Sequence, residues 1–150
     1  MRLVSGAVSS EDAKQTEQIT VDLLERARNV AQRAYAPYSN LHVGAALLTE
    51  AGNVFEGCNV ENASYGLTWC AERTAVTTAV AAEGPTMRIA SVVLYTPDLE
   101  TCSPCGACRQ VLAEFGPDAK VTYRDGGELV HAAVRDLLPH AFYGPGPDGR

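Results

Sequence analysis

Apolar residues recur at Val21, Leu24, Ala27, Val30, Ala31 and Ala34 within ITVDLLERARNVAQRAY, residues 19–35. That spacing is one-faced and predicts an amphipathic helix. Pro37 disfavours helical geometry at Ala36, so APYSN ends it. The pattern then changes. LHVGAALLTE and NVFEGCNV read as two strands, with EAGN as the turn of a hairpin between them. ENASYGLTW is a loop of small and polar residues. CAERTAVTTAVAAEG is alanine-rich and free of proline, which predicts a buried helix stopped by Gly84 and Pro85. RIASVVLYT is mostly apolar and predicts a buried central strand. PDLETCSP is loop, and CGACRQVLAEFG is a further helix ended by Gly116 and Pro117. AKVTYRD and ELVHAAV are strands joined at Gly126 and Gly127, again as a hairpin. RDLLPHAF reads as a short helix.

The order is helix, two strands, helix, strand, helix, two strands, short helix. It predicts the α/β class, with a mixed five-stranded sheet, helices on both faces and three layers, α/β/α. No internal repeat or long linker divides the chain, so residues 19–143 read as one domain. Residues 1–18 read as a polar, flexible tail. Residues 144–150 read as a second one, too rich in Gly and Pro to order unaided.

Composition narrows the partners. Of 150 residues, 46% are hydrophobic and 20% charged, which suits one soluble core. The net charge is −6 and no Lys/Arg cluster stands out, a poor match to a phosphate backbone. A small-molecule partner is therefore expected, not a nucleic-acid polymer. No apolar run reaches the ~18 residues of a membrane span. The N-terminus lacks the apolar block of a signal peptide, so a cytoplasmic location is expected. The five cysteines are Cys58, Cys70, Cys102, Cys105 and Cys108. An odd count in such a chain argues for metal or catalytic thiols over a disulfide framework.

SPCGACRQVL places Cys105 and Cys108 on the first turn of a helix. Backbone N–H groups and the positive end of the helix dipole stabilise thiolates there. The pair suits a zinc half-site, although Cys-x-x-Cys alone also fits a redox pair or two buried thiols. Cys70 opens the other alanine-rich helix. Helices that follow parallel neighbouring strands can set their starts side by side, so Cys70, Cys105 and Cys108 can share one Zn²⁺ with its fourth position open. Three protein ligands plus water is the catalytic arrangement. Cys102 is offset awkwardly for a fourth ligand, and Cys58 reads as a small buried residue. Glu72 can hang beside the open position and carry a proton, although a glutamate in a first helical turn also commonly just pairs with the dipole. Three thiolates on Zn²⁺ leave a charge of about −1, so a cation should lie near. Arg73 is favoured over Arg109, and either can instead pair with a surface carboxylate. Asn59 and Glu61 lie two apart on an extended segment, so they point to one side and can grip a hydroxyl or bond a loop.

CAE followed by PCGAC matches the zinc-deaminase pattern, with Cys in place of His at the first ligand. APYSN…VGAALL, GCNVENASYGLTWCAERTA, SPCGACRQVLAEF and LLPHAF together resemble the cytidine deaminases over roughly residues 20–143. The resemblance implies a cytidine deaminase-like fold and one zinc per subunit. It implies hydrolysis of cytidine or deoxycytidine to the uridine form plus ammonia, in pyrimidine salvage. Glu72 would be the proton shuttle. The Ala71 backbone and the Ser103 carbonyl would hold the base, and Asn59 and Glu61 a sugar hydroxyl. It also implies a homotetramer whose sites are completed by neighbours, with Phe142 lent across an interface and Tyr65 reaching a neighbour's site. Phe142 can alternatively be an ordinary C-terminal anchor.

The chain departs from the family at Leu41, where a phenylalanine usually packs on the base. Leucine is apolar but cannot stack as a ring does. Trp69 is bulky for its place and is expected at a subunit interface. His42, His131 and His140 match no ligand position. A deaminase of blasticidin S or another amino-substituted base is a competing reading, which the CNVEN segment disfavours. A non-catalytic zinc module is another, and it leaves Glu72 without a role.

Overall fold

The structure, a computed structural model, describes residues 10–145. Its helices are α1 (Ser10–Ala31), α2 (Ala71–Glu83), α3 (Gly106–Phe115) and α4 (Val134–Leu137), with a 3-10 turn at Tyr65–Leu67. Its strands are β1 (Gly44–Thr49), β2 (Val54–Cys58), β3 (Ile89–Tyr95), β4 (Lys120–Asp125) and β5 (Glu128–Ala133). They form one sheet in the order β2-β1-β3-β4-β5. Only β3 and β4 pair in parallel. The expected mixed five-stranded sheet is therefore present, with RIASVVLYT at its centre.

Alternation along β1 assigns the layers. Ala45 and Leu47 face α2 and α3 in one cluster that also holds Ala75, Val76, Ala79, Val92, Leu94, Leu112 and Val121. Ala46 faces the other way, with Val93, onto Leu23 and Ala27 of α1. Two glycines let the helices come close. A Cβ on Gly44 would lie 1.9 Å from the Ala27 carbonyl oxygen, and one on Gly57 would lie 2.4 Å from the Ala75 nitrogen. Both obstacles are backbone. A side chain at Gly57 would push α2 off β2, and with it the start of α2.

Several expectations need correction, among them the last helix, which covers Val134–Leu137 and does not extend through the rest of RDLLPHAF, residues 135–142. The first helix starts at Ser10, not Ile19, so residues 10–18 of the supposed tail are helical. No apolar stripe marks them. They hold good helix formers, Glu11 and Asp12 in the first turn, and local bonds such as Gln18 Nε2 to Asp22 Oδ1 at 2.8 Å. Residues 1–9 and 146–150 lie outside the described residues. The buried stripe is Leu23, Ala27 and Ala31, while Val21 is 53% exposed. The helix ends at Ala31, ahead of Pro37, in a turn where Ala34 N donates to Ala31 O at 3.1 Å. Finally, the strands leading to α2 and α3 are not neighbours. β2 and β3 are each antiparallel to β1, which lies between them. They still run the same way, so both following helices start at the same end of the sheet.

Candidate active site

That end of the sheet carries the chemistry. Cys70 caps the start of α2 and Cys105 the start of α3, both with extended backbone. An N-cap side chain normally turns back to accept from its own helix. Neither sulfur does so. Cys108 lies one turn into α3 and is fully buried. The three sulfurs lie within 4.8 Å of one another, and Cys70 Sγ is 3.9 Å from Cys105 Sγ. A tetrahedral ion with sulfur at about 2.3 Å needs sulfurs about 3.8 Å apart. The donor set thus fits one soft, tetrahedral ion such as zinc, with a fourth position left for a non-protein ligand.

Hydrogen bonding from Cys108 and the nearby Arg73 bring the Cys70 thiol well down despite its burial. The bond to Cys70, together with burial, pushes the Cys108 thiol up. Cys102 stands apart from the three. Its N–H donates to Arg124 O at 2.8 Å, which ties its loop to β4. Burial, with Glu72 and Cys70 adding repulsion, pushes its thiol up to about 11. Cys58 ends β2 half-buried, and burial raises its thiol also.

Glu72 occupies the second position of α2 and is only 5% exposed. A carboxylate that merely pairs with a helix dipole has no need of burial. Here burial, with help from the Cys70 charge, pushes the carboxyl up to about 7. Arg73 follows, and its Nη2 donates to Thr68 O at 2.9 Å and to Cys70 Sγ at 3.6 Å. Arg109 turns elsewhere, its Nε donating to Pro104 O at 2.8 Å and its Nη1 to Leu137 O at 3.0 Å. Of the two arginines, Arg73 is therefore the one bonded to a ligand sulfur.

The remaining candidates surround the same end. Asn59 is buried, with Oδ1 accepting from Val43 N and Nδ2 donating to Leu41 O, both at 2.8 Å. Glu61 accepts from Tyr38 N at 2.9 Å, from Ser39 N at 3.3 Å and from the Ser39 hydroxyl. Both side chains thus shape the segment from Tyr38 to Val43, which carries Leu41. Ala71 is buried at the first position of α2, and Ser103 is exposed just before Pro104. Tyr65 is 73% exposed and meets Tyr38 edge-on, ring centroids 5.6 Å apart. Phe142 is 76% exposed.

Two groups that sequence reasoning passed over help to hold this arrangement. Gln110 clasps the backbone of Phe142 from both sides. Its Nε2 donates to Phe142 O at 2.7 Å and its Oε1 accepts from Phe142 N at 3.0 Å. Asp98 Oδ2 accepts from His42 N at 2.7 Å and lies 3.1 Å from His42 Nδ1, joining the Leu41 segment to the loop before Cys105. No local pattern marks either residue, since each works through a partner distant in the chain.

Similarity to other proteins follows the same residues. Residues 17–124 match the family described as the cytidine and deoxycytidylate deaminase zinc-binding region. A cytidine deaminase from Sporosarcina psychrophila is 43% identical over 122 residues, 80% of this chain and 88% of that one. One from Halalkalibacterium halodurans is 45% identical over 122 residues, covering 80% and 91%. The crystal structure of cytidine deaminase from Burkholderia pseudomallei superposes with a TM-score of 0.74 at 47% identity, covering 81% of this chain and 98% of that one. With its three sulfurs placed for one zinc ion, this chain belongs to the zinc-dependent cytidine and deoxycytidylate deaminase family.

Proposed function

We propose that this chain hydrolyses cytidine and deoxycytidine to uridine and deoxyuridine with release of ammonia, as a cytoplasmic step of pyrimidine salvage. One observation carries the reading: a carboxyl buried to 5% exposure, two positions after the first of three convergent sulfurs. Cys70, Cys105 and Cys108 would hold the zinc ion, which would supply Lewis acidity toward a water molecule near neutral pH. The other steps fall to side chains and backbone. A Glu72 carboxylate oxygen takes one proton from the attacking water and delivers it to the ring nitrogen beside the reacting carbon. It then takes the second proton from the hydroxyl now bonded to that carbon and gives it to the amine, so that the C–N bond breaks, ammonia leaves and the carbonyl forms. Burial suits Glu72 to this, because a carboxyl held near 7 can both accept and return a proton. The Ala71 N–H, at the first helical position, has no acceptor within its own helix and would donate to the base carbonyl. The Ser103 carbonyl would accept from the amino group. Asn59 keeps one amide hydrogen beyond its two loop bonds, and with Glu61 would hold a sugar hydroxyl. Leu41 would lie against the base without stacking on it.

The assembly belongs to the same proposal: a homotetramer in which Phe142 and Tyr65 reach neighbouring sites. Its support is the exposure of large apolar groups at this end of the fold. Val60, Leu67 and Trp69 are 41%, 63% and 47% exposed, beside the two rings already named. Phe142 in particular is held out on a backbone clasped by Gln110.

Ultraviolet absorbance tests the reaction directly. Zinc-loaded protein is expected to bleach cytidine and deoxycytidine as the uridine forms accumulate. A folded protein with one zinc per subunit and no turnover of either would overturn the nucleoside reading, and blasticidin S would be assayed next. Phe142→Ala tests the assembly. It is expected to raise KM about three- to tenfold, the worth of one lost aromatic contact, while sedimentation still reports a tetramer. An unchanged KM would remove Phe142 from the site.

A further inference from the structure

We infer that Trp69 is a positioning residue for the zinc centre: its indole holds the Arg73 guanidinium against Cys70. Arg73 is in an unfavourable place for a cation. It is the third residue of α2, where the positive end of the dipole repels it. Its hydrogen bonds do little to fix it, because both known ones leave from the same nitrogen, Nη2, to Thr68 O and Cys70 Sγ. Nε is buried with no hydrogen-bond partner among the described residues. A guanidinium tethered by one nitrogen can swing about that nitrogen. Its carbon, however, lies 4.8 Å from the centroid of the Trp69 ring, within cation–π range. The ring supplies the electron-rich face that Nε lacks as a conventional acceptor, and it fixes the plane of the group.

The backbone explains why the ring can do this. Trp69 is bridged to Val60 on both sides, with Val60 N donating to Trp69 O at 3.0 Å and Trp69 N to Val60 O at 2.9 Å. Cys70 comes next in the chain. The residue that orients the arginine and the sulfur that receives its hydrogen bond are therefore fixed by one short, tied segment. The ring remains 47% exposed, so it is free to serve an interface as well.

The chain has a single tryptophan, so tryptophan emission reports on Trp69 and its surroundings. The experiment follows zinc release to a chromogenic chelator from zinc-loaded wild type and from Trp69→Leu, Trp69→Phe, Arg73→Gln and the Trp69→Leu/Arg73→Gln double variant. Emission is recorded before and after release for every protein that retains the tryptophan. Trp69→Leu is expected to release zinc about two- to fivefold faster than wild type, the factor a half-exposed cation–π contact supplies. Trp69→Phe, which keeps a ring, is expected to fall between them. In the Arg73→Gln background the leucine change is expected to add nothing. Emission of wild type is expected to change on zinc release, and that change to vanish in Arg73→Gln. The inference is overturned if Trp69→Phe and Trp69→Leu release zinc at the same rate. It is equally overturned if Trp69→Leu has its full effect without Arg73, since Trp69 then acts by packing alone. Should Trp69→Leu fail to fold, the phenylalanine variant and the Arg73→Gln emission decide the matter.

Discussion

Changing Glu72 to glutamine is expected to lower kcat for cytidine about 10³-fold, with one zinc per subunit retained. The size follows from the role. A positioned proton carrier contributes about 10²–10⁴ to a rate, and Glu72 is assigned both the first transfer and the last. Glutamine keeps the volume and a hydrogen-bonding carbonyl, so the helix start should survive in place. It also removes a buried ionisable group that burial already pushes up to about 7, so the fold should not suffer. The measurement is steady-state absorbance beside zinc content for both proteins. A glutamine variant within tenfold of wild type would sink the assignment. KM should move little, since the lost interaction is a proton transfer and not ground-state binding.

Cys108→Ser is expected to abolish both zinc retention and turnover. Cys108 is fully buried one turn into α3, and a serine hydroxyl is a poor ligand for the ion that three thiolates select. Loss of a direct ligand should exceed the roughly 10–100-fold cost of disturbing groups that merely support ligands. Zinc measured after gel filtration should fall below about a tenth of an equivalent by this reasoning. Full zinc content in the variant would show that the site closes differently. Wild type should also bind zinc more weakly as pH falls. A coordinating thiol must lose its proton, so zinc binding releases protons. Added protons therefore oppose uptake.

The two predictions differ in how legible their residues were. Cys105 and Cys108 carry a local signature, since three positions on a first helical turn put both sulfurs on one side. Cys70 and Glu72 are likewise legible as a pair at a helix start. Their meeting with the other half-site is not, because it depends on where β1 inserts. Sequence reasoning placed the two preceding strands side by side, whereas β1 separates them and the helix starts converge across it. Arg73 and Arg109 show the same limit. Each follows a ligand closely, and only the tertiary fold turns Arg109 toward Pro104 and Leu137 while holding Arg73 on Cys70. The missed helical turns at residues 10–18 have a different cause. Those residues are exposed, so no apolar period records them, and helix propensity with local hydrogen bonds was the signal to weigh.

Taken alone, the order of residues determined most of the elements, though not all their limits, together with the sheet's composition and the ligand types. Those follow from local rules: apolar period, chain-breaking Gly and Pro, and the chemistry of thiols at helix starts. Tertiary structure decided which sulfurs meet, that Glu72 is buried and not merely near a dipole, and which arginine serves the site. It also decided that Gln110 grips Phe142 and that Trp69 lies over Arg73. These are distances and burials between segments separated in the chain or set by side-chain direction. They depend on how the strands are ordered and how closely Gly44 and Gly57 let the helices approach, and no local pattern encodes that.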